Sequence, residues 1–162
     1  MAKQDRRYQD VVEQIEAIRV AMMTTTEDDG RLRSRPMHVM RVDGDGTLWF
    51  LTNDGSHKLE NLAHVNLSFA DADDADWLSV CGSGEVVRDR ATIAGLWSPM
   101  ARPWFPRGAD DPDLVALRVR ADEIEYWDAS SSRMMRLLEM ARAAVTGTRY
   151  DEGGHGTVDP RA

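Results

Sequence analysis

The residue types best suited to hold an oxyanion are Arg35, Ser56, His57 and Lys58. The last three follow Asn53-Asp54-Gly55, a turn that leads the apolar segment TLWFLTN into a helix expected over residues 57 to 64. A helix start presents unpaired backbone N–H groups and a partial positive charge, to which Ser56 adds a hydroxyl donor and Lys58 a full charge. Arg35, in the preceding strand RLRSRPMHVM, closes the other side with its planar fork. This is the pattern of a phosphate clamp for a phosphorylated cofactor. It is also the pattern of a surface helix with solvated charges, and spacing alone does not separate the two.

Other chemistries find less support. His38, His57, His64 and His155 make no HExxH pair or other close metal pattern, so no metal site is expected. The run Asp71, Asp73, Asp74, Asp76 lacks the glycine and the closing glutamate of a calcium loop and reads as a solvated turn. No GxSxG, GxxxxGK[ST] or GxGxxG motif occurs, and no catalytic acid or base stands out. Cys81 lies mid-strand without basic neighbours and is expected to be a small buried side chain. Of the five tryptophans, Trp97 and Trp104 lie in or beside a proline-rich segment, where a flat ring either covers a ligand or partner or pins the loop.

These residues need a scaffold, and 162 residues suit one domain with one sizeable core. The 20 basic and 28 acidic residues leave a net charge of −8, which disfavours nucleic acid and anionic membranes as partners and favours small ligands and proteins. One cysteine allows no internal disulfide. The charged N-terminus resembles no secretory signal and no run approaches the roughly 18 apolar residues of a membrane span. A soluble, cytoplasmic protein is the expectation.

Val11, Ile15, Ile18 and Met22 recur at helical spacing and predict an amphipathic helix over 5 to 21 that caps one end of a sheet. Met22 to Thr52 reads as a three-stranded meander with turns at Glu27–Gly30 and Asp43–Gly46. Pro36 cannot donate a ladder hydrogen bond, so its neighbourhood should be an edge, a bulge or a break that leaves backbone groups for a ligand. After the helix of 57 to 64 come strands at 65–71 and 77–89, the second with Gly82 and Gly84 marking a bend or a close backbone approach. A short helix capped by Asp89 follows, then the irregular SPMARPWFPRGADDPD, two strands at 114–120 and 123–128, and helical spacing from Ser132 to Ala144. Residues 1–145 form the domain and 146–162 a mobile tail. The fold class is α+β, a mainly antiparallel barrel with peripheral helices.

With these residues laid out, the chain resembles the pyridoxamine 5'-phosphate oxidase-like superfamily of flavin-binding split barrels, in particular its general stress protein branch. The resemblance covers residues 8 to 145 and rests on the order and spacing of several pieces: the entry helix, SRPM at 34 to 37, WFLTN followed by SHK at 49 to 58, VNLSF, VCGSGEVVRD, WSPMARPWFP and EIEYWD. It implies a homodimer with FMN or FAD at the interface. Arg35, Ser56 and Lys58 would hold the phosphate, with His57 beside them. Pro36, Met37, Leu51 and Thr52 would line the ring or ribityl chain, the ring through main-chain groups. Trp97 and Trp104 would belong to the partner's side of the pocket.

Departures from the pattern point away from pyridoxamine oxidation: His57 stands where a basic residue is usual, Met40 and Arg41 where a lysine closes the strand, and no longer substrate-binding segment follows Asp128. The resemblance implies a flavin-dependent oxidoreductase using a small-molecule electron donor or acceptor. A flavin-binding or scaffold module without turnover is the alternative. Haem in the same fold would need an axial ligand, and no histidine presents itself as one.

Overall fold

Residues 8–56, 59–128, 133–147 and 154–160 are described in the computed structural model. Helix α1 (Tyr8–Ile18) turns Val11 and Ile15 onto one face, and both are fully buried. It stops earlier than expected because Arg19 takes φ 64°, a left-handed conformation that ends a helix. Met22 therefore falls in the following strand, where it is 42% exposed.

The alternating segments form strands β1 (Val20–Thr26), β2 (Leu32–Val42), β3 (Thr47–Asn53), β4 (Val65–Asp71) and β5 (Asp76–Val87). Helix α2 (Arg90–Leu96) and a 3-10 turn (Pro99–Ala101) precede β6 (Leu114–Asp128), α3 (Arg133–Thr146) and β7 (Gly154–Val158). The antiparallel order is β3-β2-β1-β4-β5-β6-β7, and β3 also pairs with β6, so six strands close on themselves as a barrel. The expected α+β class, a mainly antiparallel split barrel with peripheral helices, is the observed one.

Strand β3 is buried on both faces. Leu48 and Phe50 point into the barrel core with Met37, Val39, Leu67, Val80 and Leu117, while Trp49 and Leu51 point outward against Ile93, Leu96 and Ala101. Each fully buried large side chain contributes about 1.5–3 kcal/mol, so a strand with two apolar faces anchors both layers.

Four expectations are corrected. Residues 59–64 form turns rather than a helix, with Asn61 at φ 54°. The Leu62 carbonyl accepts the Gly84 N–H (2.7 Å) and Asn61 donates to Asp28 (2.9 Å), so the segment bonds to the barrel, and so short a helix would not repay its nucleation cost. Residues 114–128 form one strand, because Ala121 is buried in the core and the irregularity is a bulge within the strand, where Asp122 is the extra residue between the partners of Cys81 and Gly82. A Cβ on Gly82 would lie 2.0 Å from the Arg120 carbonyl oxygen, which is the close backbone approach the glycines signalled.

The expected mobile tail contains β7, paired with β6 from Ile124 to Asp128. β6 outruns β3 and leaves an open edge, which β7 fills while sending Val158 into the core. Cys81, lastly, is exposed on the barrel's outer surface, where Asn66 donates to its sulfur (3.4 Å).

Candidate functional site

The barrel parts between β2 and β3. Their ladder begins at Val39–Phe50 and carries a register shift at Met40, so residues 35–38 and 51–53 have no partner across this seam. Proline at position 36 supplies no N–H to extend the ladder, and its neighbourhood is the edge and bulge that its presence predicted. On its other edge β3 stays fully paired with β6 through Asn53.

A cleft of about 480 Å³ opens at this seam, within the size range of small-ligand sites. Its strand walls are His38, Val39, Met40 and Leu51 to Asn53, and its outer wall is Leu96, Ser98 and the loop after it. The Thr52 hydroxyl oxygen is buried with no hydrogen-bond partner among the described residues. Such an orphan is costly and calls for a ligand atom or water.

The proline-rich loop is held in place rather than left as a linker. Asp89 caps α2 by accepting the Thr92 N–H (2.8 Å) and hydroxyl (2.7 Å), and these bonds hold its carboxyl below the usual range. Arg90, in the first turn, donates to the carbonyls of Leu114 (3.0 Å), Ala109 (2.6 Å) and Asp111 (3.1 Å). Arg107 pairs with the buried Asp111 (2.9 Å) and with Asp113 (2.6 Å). The loop so fastened carries Trp104 over the cleft, where its ring stacks on His38 of the same chain at 6.0 Å between centroids.

Arg35 lies elsewhere. It sits at the mouth of a smaller cavity of about 240 Å³ with Thr25, Glu60 and Asn61, and no residue lines both cavities. Its Nη1 donates to the buried Thr25 hydroxyl (2.9 Å). Neighbouring carboxylates are engaged by other groups: Glu27 by Arg33 (2.5 Å), Asp29 by Arg31 (2.8 Å) and Asp28 by Asn61 (2.9 Å). The half-buried guanidinium thus meets a neutral hydroxyl, in a cavity that Glu27, Asp28, Asp29 and Glu60 also line.

Of the site residues read from the sequence, Leu51, Thr52 and Trp104 line the larger cleft and Arg35 the smaller. Pro36 is exposed on the parted edge, and Met37 turns its side chain into the core, leaving only its main chain toward a ligand. Ser56 is half-buried in the turn after β3 and lines neither cavity. His57 and Lys58 lie outside the described residues. Trp97 packs on the outer core with its indole N–H buried and without a partner among the described residues, and the Arg102 guanidinium stands 5.7 Å from its ring centre. Arg19, His38, Asn53 and Met100 also line the cleft, and the sequence reading missed them. His38, two residues past Pro36, carried the one available signal.

Two further features stiffen the frame. Arg88 grips Asp54 through two hydrogen bonds (2.7 and 2.9 Å), tying the turn after β3 to the end of β5 and lowering the Asp54 carboxyl's proton affinity. Asp43 accepts the Trp49 indole N–H (2.6 Å) and an Arg41 N–H (2.7 Å), so Arg41, where the pattern has a lysine nearby, serves the frame. Among the described residues no cluster of three potential metal-ligating side chains occurs, and no helix is long and apolar enough to cross a membrane.

Similar proteins are known. Protein bli-3 of Neurospora crassa is 28% identical over 156 residues, covering 88% of this chain and 75% of that one. A solved structure from Clostridium acetobutylicum, related to general stress protein 26 of B. subtilis, superposes with a TM-score of 0.68 at 27% identity over 76% of this chain and 89% of its own. The general stress FMN/FAD binding protein of Xanthomonas citri gives 0.67 at 26% identity, over 80% of this chain and 93% of its own. Over residues 6–151 the sequence matches the family model of pyridoxamine 5'-phosphate oxidase-like proteins, and the chain belongs to that family, in its general stress protein branch.

Proposed function

We propose that the chain binds a flavin, FMN in the first instance, with the ring at the parted β2–β3 seam and the phosphate toward Arg35. The seam carries this reading. His38 and residues 51–53, which have no partner across the seam, line a cleft of about 480 Å³, and their main-chain groups suit the alternating donors and acceptors along the edge of a flavin ring. The orphaned Thr52 hydroxyl fits the same need, and Arg35 fits a phosphate. Ser56 and Lys58 complete the phosphate site in this reading, with His57 beside them. FAD presents an equivalent phosphate. The flavin binding of the Xanthomonas citri protein supports the assignment.

When bound, the flavin supplies the electron chemistry, and the reading extends to an oxidoreductase that uses a small-molecule electron donor or acceptor. The chain's own contribution is to bind and orient: main chain along the ring, Thr52 at its edge, Arg35 on the phosphate, Trp104 and His38 excluding water from the cleft mouth. A homodimer with the flavin at the interface, in the cytoplasm, completes the proposal. Val20, Met22 and Trp104 are 44%, 42% and 63% exposed, apolar surface that a second copy would cover.

Replacing Arg35 and Lys58 together by alanine tests the phosphate assignment. FMN affinity is expected to fall at least about tenfold while riboflavin, which lacks the phosphate, is little affected. Equal losses for the two ligands would move the phosphate site elsewhere. Purified protein that carries no flavin and takes up none would remove the redox reading and leave the scaffold.

A further inference from the structure

The outer face of the sheet, outside both cavities, carries a row of aromatic rings that the flavin reading leaves unused. Trp77 of β5 stands opposite Trp127 of β6, and Trp127 stands opposite His155 of β7. Three neighbouring strands thus set three rings in line over about 10 Å. Trp77 is 40% and Trp127 37% exposed, and neither lines the cleft or the smaller cavity. Side chains alternate along a strand, so Ser79, two residues after Trp77, and its partner Glu125, two before Trp127, share this face.

One half of the row already holds a flat nitrogen base. The His155 imidazole lies on the Trp127 indole, with 4.9 Å between centroids and 13° between planes, and its Nε2 stands 3.6 Å from a Glu125 carboxylate oxygen. An indole face with a carboxylate at its edge is an arrangement that receives a planar cation. The other half repeats the parts without the occupant. Trp77 makes no ring contact among the described residues, and Glu125 is its diagonal neighbour across the β5–β6 ladder, about 7–8 Å away, a gap that a cationic head group would span.

Charge decides what this face accepts. Among the described residues of β4, β5, β7 and the half of β6 after Ala121 there is no lysine or arginine, whereas Glu123 and Glu125 lie on the outer face and Asp71, Asp73 and Asp74 form the turn beside Trp77. A neutral partner would strip water from these carboxylates and return nothing for it. A second copy of the same face would set carboxylates against carboxylates, in a chain whose net charge is −8. A cationic partner answers both the charges and the rings. On an open face each ring holds its ligand from one side only, so useful affinity has to be summed along an extended segment rather than drawn from one small molecule.

We propose that this face docks an arginine-bearing segment of a partner protein, with one guanidinium stacked on Trp77 and paired with Glu125. Arginine suits the position better than lysine because its head group is planar, stacks on an indole and is more weakly hydrated than an ammonium. None of these residues belongs to the flavin cleft, so the surface stands independently of the flavin reading.

The test titrates the full chain into a short labelled peptide of alternating glycine and arginine, and into its lysine and citrulline counterparts, at physiological salt with fluorescence anisotropy as the readout. The arginine peptide is expected to bind at least about threefold tighter than the lysine peptide and at least about tenfold tighter than the neutral citrulline peptide. Trp77→Ala should erase the preference for arginine over lysine, Trp77→Phe should retain most of it, and Glu125→Gln should weaken both charged peptides. Equal affinity for arginine and lysine overturns the proposal, since an acidic chain attracts any polycation. So does a preference that survives Trp77→Ala, or the absence of binding at millimolar peptide. A Trp77→Ala chain that falls from dimer to monomer would give the face to a second copy and overturn it as well. The ranking of the three peptides by the unaltered chain needs no variant, so the proposal remains open to failure even where Trp77→Ala does not fold.

Discussion

The two edges of β3 behave differently. Toward β6, all seven residues from Thr47 to Asn53 are paired in unbroken register; toward β2, pairing stops at Phe50. The same strand thus belongs to a sealed wall on one side and a parted seam on the other. Residues facing the wall satisfy each other, while those facing the seam include an orphaned hydroxyl and unpaired main chain. Binding capacity in this barrel is located where strand pairing ends, and stability where it continues.

The sharpest way to break that contrast is to damage the wall. Gly82→Val, on β5 against the other edge of the wall strand β6, places a Cβ at 2.0 Å from the Arg120 carbonyl oxygen, where only β6 backbone could yield. A loss of about 3 kcal/mol or more is expected, read as a large fall in melting temperature or loss of soluble protein. A variant that melts as the parent does would show that the wall tolerates a gap and that sealing is not what stabilises it.

On the seam the prediction has two signs. Thr52→Val removes the orphaned hydroxyl, so the flavin-free protein should gain about 1 kcal/mol, while flavin affinity falls about tenfold. Calorimetric melting and flavin titration read the two effects separately. A stability loss without ligand would mean that the hydroxyl already has a partner, and the seam would then resemble the wall.

The smallest effect concerns the support of the outer layer. Asp89 is held below its usual pKa first by the Thr92 hydroxyl and then by the Thr92 N–H. Its carboxylate is charged and capping above the ordinary carboxylate range, and its contribution is lost as pH falls through the lowered folded value. Asp89→Ala should therefore lower the melting temperature slightly near neutral pH, with the difference from the parent vanishing in acid. A difference that persists in acid would assign the effect to packing rather than to the charge.

Legibility in the sequence followed the same division. Elements whose pattern is set by burial, such as Val11 and Ile15 in α1 or Val65, Leu67 and Phe69 in β4, announced themselves by period. Pro36 announced the seam because a missing donor is a local property. Arg19 was not legible, since its position depends on a helix ending one turn before the periodic pattern does, at a residue with no glycine to mark it. The segment 59–64 was misread because Asn61 and Leu62 are fixed by partners in distant strands and turns, which no window of sequence contains. β7 escaped for a similar reason: Gly154, Gly156 and their neighbours look unstructured until the open edge of β6 is known, where Gly156 packs on the Tyr126 ring.

Closure of the barrel has a kinetic side. The β3–β6 seam joins Asn53 to Leu114 and Thr47 to Arg120, partners far apart along the chain, whereas the β1–β2 and β4–β5 hairpins form from neighbours. Loop-closure entropy must be spent before the seam rewards it, so the hairpins can assemble early and the sealing step governs how fast the native state appears. Until β6 arrives, β3 has one edge bare along its whole length, the other paired with β2 only up to Phe50, and two apolar faces uncovered, which makes this one strand the segment most prone to pair with another chain during synthesis.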